Sequence, residues 1–205
     1  MKLPLLHNRC SLNLSYFCVM KRLAIFASGS GSNAENIINY FSENEEVDVC
    51  LVLTNNANAF VLERAKKYAI DTFVFTKNEL NSSTKVRDVL KEYNASILIL
   101  AGFLLKIPES LISSYPGAII NIHPALLPKY GGKGMYGLNV HRSVLLHNED
   151  ETGITIHYVN ENYDEGAIIF QARCNVEPSD TPESVQSKVQ ELEALHFPKV
   201  IESLI

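Results

Sequence analysis

The sequence predicts an α/β protein: a mostly parallel, twisted sheet with helices on both faces, ending in an antiparallel hairpin. Three observations predict it. Short runs of continuous apolar residues recur along the chain, the mark of strands covered on both faces. Segments of helical periodicity separate them, and that alternation builds a parallel sheet through crossover connections. Near the C-terminus two strand-like runs follow one another without a helix between them, joined by the polar loop 160–166.

Residues 23–27 (LAIFA) make the first buried strand. The stretch 28–33 (SGSGSN) leads into a helix with Ala34, Ile37, Ile38 and Phe41 on one side. Residues 47–53 form a second strand, followed by a helix over about 57–68. A short third strand over 72–75 precedes a helix at about 84–93. Residues 97–101 (ILILA) are the fourth strand, and Pro108 opens a short helix where its missing N–H costs nothing. Residues 118–122 are the fifth. After them the pattern changes, because 128–138 (PKYGGKGMYGL) is glycine-rich and basic, more a mobile flap than a core element. A helix follows to about residue 147, then the hairpin strands 154–159 and 167–174. The last helix starts near Thr181, with Thr as N-cap and Pro182 at its first position. Val185, Val189 and Leu192 form its apolar stripe, and Pro198 is expected to bend or end it.

A chain of 205 residues fits one domain that buries a core without staples. Its net charge of -5 argues against broad attraction to nucleic acid or membrane, so an anionic ligand needs a local pocket. No apolar run is long enough to span a bilayer. The cysteines Cys10, Cys18, Cys50 and Cys174 form no C-x-x-C pair; Cys50 and Cys174 lie in strand-like segments and read as buried free thiols of a reducing, cytoplasmic compartment. His141 and His147 are spaced wrongly for two ligands on one helical face, and no metal site is expected. Residues 1–19 look unlike the rest. They are expected to be a non-native or disordered extension before a single domain over 20–205 that starts at Met20.

Along the fifth strand Ile120 and Ile122 point one way, Asn121 and His123 the other. An amide and an imidazole side by side at the end of a buried strand, halted by Pro124 and Pro128, read as a site. A pair satisfied by loop backbone would leave the same sequence. Gly29-x-Gly31-x-x-Ala34 matches the dinucleotide fingerprint, in which backbone N–H groups meet a phosphate at a helix N-terminus. A dinucleotide site also asks for an acid after the second strand, where this chain has Thr54-Asn55-Asn56, and no G-K-[ST] of a P-loop follows. The loop therefore suits a phosphate better than NAD, with a ligand-free turn as the alternative.

With Ala101-Gly102-Phe103, the block 121–128 (NIHPALLP) and Asp164-Glu165-Gly166, the chain from about Lys21 onward resembles the glycinamide ribonucleotide formyltransferase family. The resemblance implies a Rossmann-like formyltransferase fold, 10-formyltetrahydrofolate as co-substrate, glycinamide ribonucleotide as acceptor, no metal, and a monomer or homodimer. It implies Asn121, His123 and Asp164 as catalytic residues. Gly31, Ser32, Asn33, Gln190 and Glu193 would hold the nucleotide. Leu104, Leu105, Ile107 and Asn160, with Asn121 and Asp164, would form the folate side. The chemistry agrees, since an Asn amide and a protonated His can both donate to the oxyanion of formyl transfer. Asp164 beside His123 would raise the histidine pKa, although the residues alone leave Asp164 as one acid of a solvated loop with Glu161 and Glu165. His157, among Ile154, Ile156 and Val159, reads as a core or supporting histidine. The chain departs from its relatives at Leu105 and Ser83, where arginines occur, and in its longer, glycine-richer flap. Another folate-dependent formyltransferase, a formyltetrahydrofolate hydrolase and a nucleotide-binding reductase are the alternatives. A hydrolase and a methionyl-tRNA formyltransferase are expected to need further domains, a sugar-nucleotide formyltransferase fits the length but not the phosphate loop, and the reductase leaves Asn121, His123 and Asp164 without a role.

Overall fold

The computed structural model describes residues 20–205, so the expectation for 1–19 lies outside the described residues. The strands are β1 (Lys21–Phe26), β2 (Val47–Thr54), β3 (Thr72–Val74), β4 (Ile97–Leu100), β5 (Ala118–His123), β6 (Glu151–Tyr158) and β7 (Ile168–Asn175). The helices are α1 (Ser32–Phe41), α2 (Val61–Lys67), α3 (Lys77–Ser82), α4 (Lys85–Glu92), α5 (Glu109–Ser114), α6 (Leu138–Leu146) and α7 (Pro182–Ser203). One seven-stranded sheet runs β3-β2-β1-β4-β5-β6-β7. The pairs from β3 to β5 are parallel; β6–β7 is antiparallel, as the hairpin pattern predicts, and β5–β6 is antiparallel as well.

Alternation along the central strands divides the core into two layers. Leu23, Ile25 and Ala27 face the layer closed by α1, α2 and α7, through Ile37, Val61 and Val189. Ala24 and Phe26 face the opposite layer with Leu80, Leu90 and Leu111 from α3, α4 and α5. This is why β1 is apolar throughout rather than on alternate residues.

Three elements differ from the sequence expectation. α2 begins at Val61 rather than near 57, because the Asn56 side chain accepts from the Asn58 N–H at 3.0 Å and Thr54 Oγ1 accepts from the Asn56 N–H at 3.2 Å. Such local side-chain bonds compete with a helix start. The short α3 was not expected, although T-x-x-E announces it. Thr76 Oγ1 accepts from Glu79 N at 3.2 Å while the Glu79 carboxylate accepts from Thr76 N at 2.7 Å, a reciprocal capping box. Finally, Pro198 does not end α7, which runs on to Ser203. Proline removes the N–H that would have bonded the carbonyl four residues back. That carbonyl, Ala194 O, accepts instead from Asn36 Nδ2 of α1 at 2.9 Å.

Candidate active site

Chain order reverses between the neighbouring strands β1 and β4, and ligands of open α/β sheets bind beyond the strand C-termini at such a switch point. A cleft of about 570 Å³ lies there, lined by the loop after β1, the segment after β4, the end of β5, part of the flap, Asp164 and α7.

At one end the glycine loop turns into α1. Gly31 has φ 74°, and a Cβ there would sit 2.4 Å from Val61 Cγ2, so only glycine allows this packing. Gly31, Ser32 and Asn33 line the cleft, where the first N–H groups of a helix lack intrahelical acceptors. Asn33 Nδ2 donates to the Glu193 carboxylate at 2.8 Å, joining α1 to α7. Burial raises the Glu193 pKa, and the Asn33 bond only partly opposes it. Gln190 lines the same wall, and so does Gln186, which sequence reasoning missed. The signal was there: Gln186 lies one turn before Gln190 on the same helical face.

At the other end Asn121 and His157 are directly opposed across β5 and β6. The Tyr158 carbonyl can only accept, so His157 Nδ1 carries the proton given to it at 2.8 Å, and Nε2 accepts from Asn121 Nδ2 at 3.0 Å. Asn121 Nδ2 makes a longer bond, 3.4 Å, to Asp164 Oδ1. Asp164 occupies a left-handed backbone conformation, φ 56°, which turns its carboxylate inward. Its Oδ2 accepts from the Gly132 N–H of the flap at 2.8 Å and lies 3.5 Å from His123 Nδ1. His123 Nε2 donates to the Tyr130 carbonyl at 2.8 Å. The structure thus brings Asn121, His123 and Asp164 together, with His157 hydrogen-bonded to Asn121.

The electrostatics correct one expectation. Burial lowers the His123 pKa. The charge of Asp164 and the Tyr130 carbonyl oppose this, His157 adds to it, and the net result lies below the ordinary value of 6.5. His123 is only 4% exposed, so lost hydration outweighs one neighbouring carboxylate. Burial also pushes the Asp164 pKa up. Whenever the neighbouring rings carry protons, His157, 3.7 Å away at Nε2, and His123 favour the carboxylate, and with the Gly132 N–H they outweigh burial and hold Asp164 below its usual range.

Of the residues that the resemblance assigns to the folate, Leu104 and Leu105 line the cleft. Ser28 Oγ accepts from Leu104 N at 3.0 Å and donates to Asn55 Oδ1 at 2.6 Å, tying together the segments that follow β1, β2 and β4. Ile107 is instead buried in the core layer with Phe26. Asn160 is not among the lining residues; its Oδ1 accepts from Asn162 N at 3.0 Å and shapes the loop that carries Asp164. Ser83 lines a separate recess near Arg87. Cys50 and Cys174 are free thiols, with Cys50 buried and Cys174 half-buried. Among the described residues no group of three or more His, Cys, Asp or Glu could hold a metal ion, and no helix is long and apolar enough to cross a membrane.

A doubly wound sheet with a glycine loop opening a helix and an amide–imidazole–carboxylate cluster at its switch point defines a Rossmann-like α/β protein. The formyl transferase family model matches residues 21–201, and the chain belongs to that family. It is 41% identical over 175 residues to the chloroplastic phosphoribosylglycinamide formyltransferase of Arabidopsis thaliana, covering 82% of this chain and 60% of that protein. It is 34% identical over 191 residues to the phosphoribosylglycinamide formyltransferase of Bacillus subtilis, covering 91% of this chain and 95% of that protein. A solved structure of the Anaplasma phagocytophilum phosphoribosylglycinamide formyltransferase superposes with a TM-score of 0.81 at 35% identity, covering 88% of this chain and 84% of that one.

Proposed function

We propose that this protein is a phosphoribosylglycinamide formyltransferase of purine biosynthesis, moving the formyl group of 10-formyltetrahydrofolate to the amine of glycinamide ribonucleotide. The observation that carries the reading is convergence: Asn121, His123 and Asp164 meet in a cleft whose other end is the glycine loop. That separation matches an acceptor with a phosphate at one end and an amine at the other. The apolar segment Phe103–Leu105 supplies a surface for a flat pterin ring.

The neutral glycyl amine attacks the formyl carbon; a C–N bond forms and the carbonyl π pair moves to oxygen. Asn121 keeps its 3.0 Å bond to His157, and its weakly held second hydrogen turns to the oxyanion. His123 exchanges the Tyr130 carbonyl for the same oxygen at Nε2. Asp164, ionised at neutral pH, together with the new oxyanion favours the charged imidazolium just as negative charge develops. The attacking nitrogen, cationic after addition, gives a proton to His123, the imidazolium passes a proton on to the folate nitrogen, and the bond from that nitrogen to the formyl carbon breaks as the oxyanion re-forms the carbonyl, releasing tetrahydrofolate. Gly31, Ser32 and Asn33 hold the phosphate, with Gln190 and Glu193 on the ribose side. The same reading takes residues 20–205 as one catalytic domain acting in the cytoplasm. The test is an assay of purified protein with 10-formyltetrahydrofolate and either glycinamide ribonucleotide or water as acceptor. Formylated nucleotide in proportion to released tetrahydrofolate is expected, and release without the nucleotide would make the protein a hydrolase.

A further inference from the structure

His141 is a buried group for which the chemistry above has no task. It lies in the first turn of α6, is 2% exposed, and lines the cleft. Its Nδ1 is sealed from water and has no hydrogen-bond partner among the described residues. A buried polar atom is normally paired, and one left unpaired in a well-packed site points to a partner that arrives later. Its buried helix neighbours are Val140 and Val144, so packing alone would be served by an apolar side chain here.

Position indicates the partner. α6 packs on α7, and His141 lines the same cleft as Gln190 and Glu193. It also lies close enough to His123 for the charge of one ring to lower the pKa of the other. With the phosphate in the glycine loop and the amine at His123, the part of the nucleotide nearest His141 is the glycyl arm. We infer that His141 binds the amide–amine arm of glycinamide ribonucleotide, hydrogen-bonding it through a neutral ring and aiming the amine at the formyl carbon. This rests on the acceptor proposed above. Burial and the charge of His123 push the His141 pKa down to about 4, so the ring offers a lone pair as well as an N–H and sets no second positive charge beside His123. A half-turn about Cβ–Cγ exchanges Nδ1 with Cδ2 and brings the sealed nitrogen to the ligand.

The test compares wild type, His141→Phe and His141→Asn, the last placing a polar atom near the position of Nδ1. Glycinamide ribonucleotide is titrated calorimetrically, and KM is measured for each substrate. For His141→Phe we expect about tenfold weaker nucleotide binding and a matching rise in nucleotide KM, equivalent to the loss of one hydrogen bond of about 1.4 kcal/mol. The KM for 10-formyltetrahydrofolate should stay constant, the Tm should not fall, and His141→Asn should recover part of the affinity. Unchanged nucleotide binding in His141→Phe would overturn the inference. So would equal rises in both KM values together with a lower Tm, the pattern of a purely structural residue. Wild type that bound the nucleotide without transferring a formyl group would refute the proposed function, while the binding comparison would still decide the role of His141. Wild type that bound no nucleotide would overturn both.

Discussion

At His123 burial and charge oppose each other, and the balance sets what the side chain can do. In the mechanism proposed above, a ring that burial favours as neutral becomes charged as the oxyanion forms, and so stabilises the transition state more than the ground state, which is the condition for catalysis. His123→Ala and Asp164→Ala are each expected to lower turnover by about 10²–10³-fold, the scale of a lost oxyanion donor, with circular dichroism unchanged. Steady-state assays of the two variants check this, and wild-type turnover in either would remove that residue from the mechanism. The buried histidines also predict a pH dependence of stability. His141 falls from 6.5 when unfolded to about 4 when folded, so between those values the unfolded chain binds more protons and stability drops as pH drops. The loss approaches ~3 kcal/mol at the acid end. His123 is shifted the same way and adds to it. Asp164 is lowered from 3.8, so its contribution is intact in this window and is lost only in stronger acid. Thermal melts of wild type should fall steadily from pH 6.5 to pH 4, and those of His141→Phe should fall less.

Within elements, the instructive case is α7, which continues through a proline because another helix takes the freed carbonyl. The Asn36 bond to Ala194 O should therefore depend on Pro198. Asn36→Ala is expected to cost about 1 kcal/mol in the native background and clearly less with Pro198→Ala, where a backbone N–H is restored to that carbonyl. A double-mutant cycle by urea unfolding measures the difference; additive effects would mean that the two features are unconnected. The same coupling has a functional side, since α1 carries Asn33 and α7 carries Glu193. The helix pair that Asn36 joins is the pair that forms the cleft wall proposed above to hold the nucleotide.

For the whole molecule, the site exists because the order β2-β1-β4-β5 places three strand ends around one cleft and β6–β7 closes it with the loop of Asp164. Among the described residues, β1 begins with the Lys21 N–H donating to the Glu46 carbonyl at 2.7 Å, and the buried members of the two core layers run from Leu23 to Ile201. If residues 20–205 are one catalytic domain, as proposed above, a protein beginning at Met20 melts cooperatively at the temperature of the full chain and keeps its turnover, measured by calorimetry and the formyl-transfer assay; a lower melting temperature would count against that boundary. The sequence by itself determined the α/β class, the parallel strands, the hairpin and the shared face of Asn121 and His123, because period-two and period-3.6 patterns are written in local residue order. It also carried signals not taken up: the capping box of α3 and the one-turn spacing of Gln186 from Gln190. Only the tertiary structure decided that Asp164 meets His123, that His157 holds Asn121, that Ile107 faces the core and that α7 survives Pro198. It alone set the direction of the His123 pKa, because hydration lost on burial is a property of everything packed around the ring, and no local pattern encodes it.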